Sequence, residues 1–395
     1  MRASGFTRDV LRSDADGAHR VTYTELFFDL VFVFAVTQVS HVLLHEQSGL
    51  ALLHAVILAM VVWWVWMFTT WASSWLDPER GAVRTLFVAL MMLGLLLASA
   101  IPEAFGDRAV LFAVCLVLMQ LSRSVFTLVA FRQGGDREHA ANFVRIVLWH
   151  ALAGVIWIAG AFLPDQARLV VWVIALVVDY VGPRLRFWVP GMGGSQLSSW
   201  NISGAHMAER VSLFLIIALG ESIVVTGAAF SAAPLDLVHL GAFLAAFAGT
   251  VLLWLLYFSD AQQRASAYIE NASERGRIAQ TAFTYIPLLL VLGIVLSAVA
   301  DGLVLQRPIG TPTPWMTGLS CGSAIVYLVG LLLFRRATGM RWSSTVVVGA
   351  VVIAAFWPVA GLLPTPAVVW TVNVVLAAVV VAEHVLDRRA GRASA

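Results

Sequence analysis

The chain contains no lysine: all 25 of its basic residues are arginine. Charge of either sign is scarce, at 12% of 395 residues, where a soluble domain carries roughly 25%. So little charge cannot cover a water-facing surface, so lipid must be the solvent. Cysteine is nearly missing too. Cys115 and Cys321 both fall inside apolar runs, which argues against a disulfide framework and against a thiolate metal site. The sequence also lacks a phosphate-binding glycine loop, HExxH and CxxC. Its loops are too short to hold a soluble catalytic domain. These absences point away from an enzyme and call for neither a cofactor nor a metal. The N-terminal stretch has no apolar core and no small-residue cleavage site, so it reads as a short solvated tail and not as a signal peptide. With the arginines scattered over many loops, nothing suggests a nucleic-acid partner.

What is abundant is apolar surface: 60% of residues are hydrophobic and the mean hydropathy is +0.86. Twelve apolar segments emerge, at 24–44, 50–71, 84–104, 109–131, 143–162, 168–188, 209–229, 236–258, 281–300, 316–334, 344–363 and 367–386. Most can cross a hydrocarbon core of ~30 Å. They must do so as helices, because a helix satisfies its own backbone groups; long continuous runs such as Leu86–Ala100 are the opposite of barrel strands. The expected fold is therefore an all-α integral membrane protein of about twelve transmembrane helices.

Arginine placement sets the expected orientation. With a cytoplasmic N-terminus, twenty arginines fall in inside segments and three, Arg108, Arg168 and Arg307, fall outside. Arg123 and Arg145 are left within spans. The positive-inside rule then holds at every loop, with both termini cytoplasmic. An internal repeat agrees with this count. Gly49–His54 parallels Pro234–His239, Glu79-Arg80-Gly81 parallels Glu274-Arg275-Gly276, and Trp157 with Leu163-Pro164 parallels Trp357 with Leu363-Pro364. The offsets of 185, 195 and 200 rise in order, as loop insertions require. Six spans per copy make the repeat parallel. The expected layout is a tail (1–23), a first six-helix repeat (24–188), a linker (189–208), a second repeat (209–386) and a C-terminal tail (387–395).

Ionisable groups inside spans are the candidate site, since each costs at least ~2.5–3.5 kcal/mol to insert. Glu25 fits a capping box with Thr22. Asp29 lies one turn deeper on the same face, among Phe27, Phe28, Phe32 and Phe34. Glu221 is the deepest acid, eleven residues beyond Arg210 and about 16 Å from it at 1.5 Å per residue. Glu209 and Arg210 stand at the expected cytoplasmic mouth of the seventh span, where interfacial anchoring explains them nearly as well. Arg123, His150 and Asp179 share the cytoplasmic half of the membrane with Asp29, which suggests a common hydrated cavity or a buried charge network. His41 and His45 are spaced i, i+4 near Glu46 and His54, yet no third metal ligand is set by the sequence. Trp71, Trp75, Trp188, Trp315 and Trp342 fall where an interfacial belt is expected, and Trp63, Trp64 and Trp66 read as packing.

The segment Glu25-Leu26-Phe27-Phe28-Asp29-Leu30-Val31-Phe32-Val33-Phe34, with Glu209-Arg210 and Leu219-Gly220-Glu221-Ser222, resembles the low temperature requirement A family. That resemblance covers essentially the whole chain. It implies a bacterial polytopic membrane protein tied to growth in the cold, and no substrate. The two-repeat layout is also similar to that of some potassium channels, by architecture alone: Phe27-Phe28-Asp29 lacks the serine of their Phe-Ser-Asp motif. Two functional expectations follow. One is a transporter or ion-conducting protein with Asp29 and Glu221 as proton- or cation-binding carboxylates. The other is a lipid-handling protein or intramembrane enzyme holding an anionic headgroup between Arg123, His150 and Asp179. Expected partners are the lipid bilayer and an ion or small-molecule substrate, and a homo-oligomer is compatible with the sequence.

Overall fold

Local chemistry starts the first helix. The Thr22 backbone N–H donates to Glu25 Oε2 at 2.9 Å, and the Glu25 N–H donates to the Thr22 hydroxyl at 3.3 Å, which closes a capping box. Helix α1 then runs Tyr23–His45. The computed structural model describes residues 10–12, 21–195, 204–258 and 279–393. After α1 come α2 (Gly49–Ser73), α3 (Gly81–Ala100), α4 (Ala109–Gly134), α5 (Arg137–Ala161), α6 (Asp165–Arg184), α7 (Gly204–Ser231) and α8 (Leu237–Phe258). A π-helical segment, Ala279–Tyr285, leads into α9 (Pro287–Gln306). Helices α10 (Pro314–Ala337), α11 (Ser344–Ala360) and α12 (Thr365–Ala393) complete the order. Among the described residues there is no strand, and two isolated bridges pair Leu11 with Leu76 and Val189 with Gly193.

Eleven of these helices are long and apolar enough to cross a membrane, and α11 is the shorter twelfth. Seventeen residues of α11 span about 26 Å, close to a hydrocarbon core. Each expected apolar segment coincides with a helix, but several ends move, two of them for a shared physical reason. Helix α7 opens at Gly204, five residues before 209, and α9 runs on to Gln306, six beyond 300. In both cases a polar residue, His206 or Asp301, truncates the hydropathy signal although it is buried inside the helix. Several expectations lie outside the described residues: the tail arginines Arg2, Arg8 and Arg20, linker residues 196–203, and the loop 259–278 with Arg264 and the Glu274-Arg275-Gly276 half of the repeat.

The chain divides into two units. The first covers Met1–Val42, Leu50–Arg210 and Ile269–Gln280, and the second covers Leu43–Gly49, Val211–Tyr268 and Thr281–Ala395. In the first, α3, α4, α5 and α6 pack in sequential pairs. Its core is aromatic: Trp63, Trp64 and Trp66 of α2 are buried, and Trp64 stacks on Tyr180 with ring centroids 4.0 Å apart. Trp75 was expected at the interface but is buried against Phe143, because α5 covers it. In the second unit α9 and α10 approach closely at glycine. A Cβ on Gly293 would lie 2.9 Å from the Tyr327 backbone nitrogen, so only glycine lets these backbones meet. The Tyr327 hydroxyl then reaches the Leu253 carbonyl of α8 at 2.6 Å.

Candidate functional site

Glu25 and Asp29 both turn inward from α1 and are 0% and 1% exposed. Each meets a basic side chain of α7, and those two, His206 and Arg210, are again one turn apart. The Glu25 Oε1 lies 2.9 Å from His206 Nε2. Arg210 donates to both Asp29 oxygens, at 2.7 and 2.9 Å, in a bidentate pair. Helix α2 supplies the remaining wall. Trp66 Nε1 donates to Asp29 Oδ1 at 2.7 Å and its ring faces the Arg210 guanidinium at 5.5 Å, while Ser74 Oγ lies 3.4 Å from His206 Nδ1. Arg12 closes the open side of Glu25 at 3.4 Å and donates its Nε to the Leu76 carbonyl at 3.1 Å.

This arrangement balances two carboxylates against two guanidiniums and leaves one imidazole to adjust. An ionised Glu25 only accepts, so Nε2 carries a hydrogen, while the Ser74 hydroxyl beside Nδ1 also lies 3.1 Å from the Thr70 carbonyl and its one hydrogen serves one of the two. A second proton on Nδ1 would make an imidazolium–carboxylate pair without moving a helix. A cation or proton arriving at Asp29 would have to compete with Arg210 for the same oxygens.

Arg123, His150 and Asp179 form a separate group. Arg123 is 1% exposed and donates to the Val65 carbonyl at 3.1 Å, Thr69 Oγ1 at 3.1 Å and Gln120 Oε1 at 2.5 Å, with the Phe68 ring beneath it. Snorkelling toward an interface was one expectation for it; these buried acceptors hold it inward instead. His150 Nδ1 lies 3.0 Å from Ser124 Oγ, and Trp157 Nε1 donates to Asp179 Oδ2 at 2.9 Å. Asp179 and His150 both feel the Arg123 charge, yet no ion pair joins them among the described residues. The four groups expected to share one cavity or network thus divide in two. Asp29 belongs with Arg210, and α2 presents Trp66 and Thr70 to that pair while its Val65 and Thr69 serve Arg123.

Arg210 is buried completely, so interfacial anchoring does not describe it, whereas its neighbour Glu209 is exposed. Glu221 is also fully buried, in the part of α7 that belongs to the second unit. Arg145 is tied to the carbonyls of Gly193 at 3.0 Å and Met192 at 2.7 Å, so it fastens the loop after α6. His54 stacks on Phe105 at 3.7 Å, and among the described residues no three His, Cys, Asp or Glu side chains gather to hold a metal. His206 is the residue that sequence reasoning missed, because it fell in the expected linker. The available signal was the matched spacing of Glu25-x3-Asp29 and His206-x3-Arg210.

Membrane-length apolar helices with charges paired inside them define a multi-pass helical membrane protein. The chain belongs to the bacterial low temperature requirement A protein (LtrA) family, whose model matches residues 20–381. It is similar to an uncharacterized protein of Rhizobium meliloti (strain 1021), 37% identical over 391 residues that cover 98% of this chain and 94% of that one. No solved structure matches it.

Proposed function

We propose that the protein is a transporter or ion-conducting protein of the bacterial inner membrane, with both termini cytoplasmic and two six-helix halves descended from a duplication. The observation that carries this reading is the buried pair Asp29–Arg210, coupled one turn away to Glu25–His206. Taking such ions out of water costs several kcal/mol each, and aliphatic side chains of similar volume often pack with equal or better stability. Charges retained inside spans despite that cost mark ion pathways and proton relays. Here a proton has a landing place at His206, and a cation has a carboxylate at Asp29 whose tethered counter-ion, Arg210, can be displaced and can return. Glu221, buried in the second unit, is proposed as a further ion-binding carboxylate. The lipid-handling alternative needs a guanidinium edge facing a headgroup, and Arg123 spends three of its five N–H donors on Val65, Thr69 and Gln120. That favours transport.

The test is ion and proton flux in proteoliposomes, with wild type compared with Asp29→Asn and Glu221→Gln at several pH values. Flux present in wild type and lost in the variants is the expected result. Absence of flux under every gradient, or wild-type flux in both variants, overturns the reading.

A further inference from the structure

The second unit holds a carboxylate that the hydropathy pattern hides and the α1–α7 pairs do not use. Asp301 lies on α9, is 7% exposed, and its Oδ2 meets no hydrogen-bond donor among the described residues. It borders a cavity of about 30 Å³ walled by α8, α9, α10 and α12. One water needs roughly 10–15 Å³ and a small-molecule site takes roughly 300–1,000 Å³. The space therefore suits a single small ion and excludes an organic solute.

The polar side chains of the wall are one carboxylate, three serine hydroxyls and one asparagine amide. Ser297 stands one turn before Asp301 on α9, and Ser320 and Ser323 face the cavity from α10. Ser323 donates its hydroxyl hydrogen to the Ser320 carbonyl at 3.2 Å, which leaves its lone pairs free to accept. Asn373 of α12 donates its amide N–H to the Ala245 carbonyl at 2.7 Å, which fixes the amide and so the direction of its acceptor Oδ1. That Oδ1 sits beside Gly249, where a Cβ would lie 3.1 Å from it. Among the described residues no arginine or histidine borders the space.

We propose that this cavity binds one monovalent metal cation of about sodium size. A single carboxylate among neutral oxygens balances one positive charge, while calcium sites draw on more carboxylates and magnesium keeps several waters. Hard oxygen ligands without sulfur or imidazole disfavour a transition metal. An ionised acid this buried is costly without a counter-charge, and a bound cation supplies it. The site goes beyond the transport reading, since equilibrium binding needs no gradient and no flux.

The experiment is sodium-22 binding to the full chain in detergent, with thermal unfolding in sodium chloride against choline chloride at equal ionic strength. Wild type should bind sodium saturably and unfold at higher temperature in sodium. Asp301→Asn should lose both responses. Gly249→Ala, which crowds Asn373 without touching Asp301, should weaken sodium by about tenfold or more, the usual loss on disturbing a metal ligand's surroundings. If Asp301→Asn does not fold, Gly249→Ala and Ser323→Ala decide alone. Sodium binding of wild-type strength in these variants, or no sodium-specific binding by wild type, overturns the site. Binding without flux would leave the site standing while the transport reading falls, and flux without binding would do the reverse.

Discussion

Arg210 grips both oxygens of Asp29, 181 residues away in sequence, at 2.7 and 2.9 Å in a setting that excludes water from both side chains. Together with Glu25–His206 one turn below, at the same separation of 181, it matches two acids of α1 to two bases of α7 in register.

Breaking the pair from one side strands a buried charge, so Arg210→Ala should destabilise the protein by about 3–5 kcal/mol. Combining Asp29→Asn with Arg210→Gln should cost much less than the sum of the single changes. Thermal or denaturant unfolding in detergent, treated as a double-mutant cycle, measures the coupling. Additivity within about 0.5 kcal/mol would show that the two side chains are independent.

Gly293→Ala should destabilise the second unit by about 1–3 kcal/mol, as overpacking does, because the new Cβ would meet the Tyr327 backbone at 2.9 Å. Gly322→Ala on α10, where nothing lies within 4 Å, should leave the unfolding temperature unchanged or raised. Equal effects from the two substitutions would contradict the close approach of α9 and α10.

Glu383 of α12 joins Arg335 at the end of α10 to Ser343 and Thr345 at the start of α11, with Ser343 Oγ at 2.5 Å. Since α11 is the shortest span, it depends most on this anchor. Glu383→Ala should accelerate amide exchange through the first turn of α11 and leave α3–α6 unchanged. Uniform exchange across both regions would count against a local anchor.

Asp136 caps α5 outside the spans. Partial burial raises its pKa, but the His139 backbone N–H at 3.0 Å and its imidazole at 2.7 Å outweigh this and hold the group below its ordinary 3.8. A depressed folded value gives stability that is complete above the unfolded pKa and is lost as pH falls through the folded one. The loss should therefore appear below about pH 4. Asp136→Asn keeps the cap without the titration, so its unfolding temperature should show a smaller acid-side slope. An identical slope would remove Asp136 from the pH response.

Solvent and architecture were legible in the residues themselves. A chain with 12% charge and twelve long apolar runs can bury its backbone in lipid only as helices, and the capping box at Thr22–Glu25 follows from local spacing. Even so, hydropathy ended the seventh and ninth segments wrongly, at His206 and Asp301, because a polar side chain reads as a boundary unless its surroundings are known. Which charges meet was decided by tertiary structure alone. Nothing in α1 says that Asp29 turns toward Arg210 and away from the Arg123 group, and nothing in α9 says that Asp301 opens onto serine and asparagine oxygens. Periodicity gives the face of one helix, whereas a partner is a property of two helices packed in a particular register.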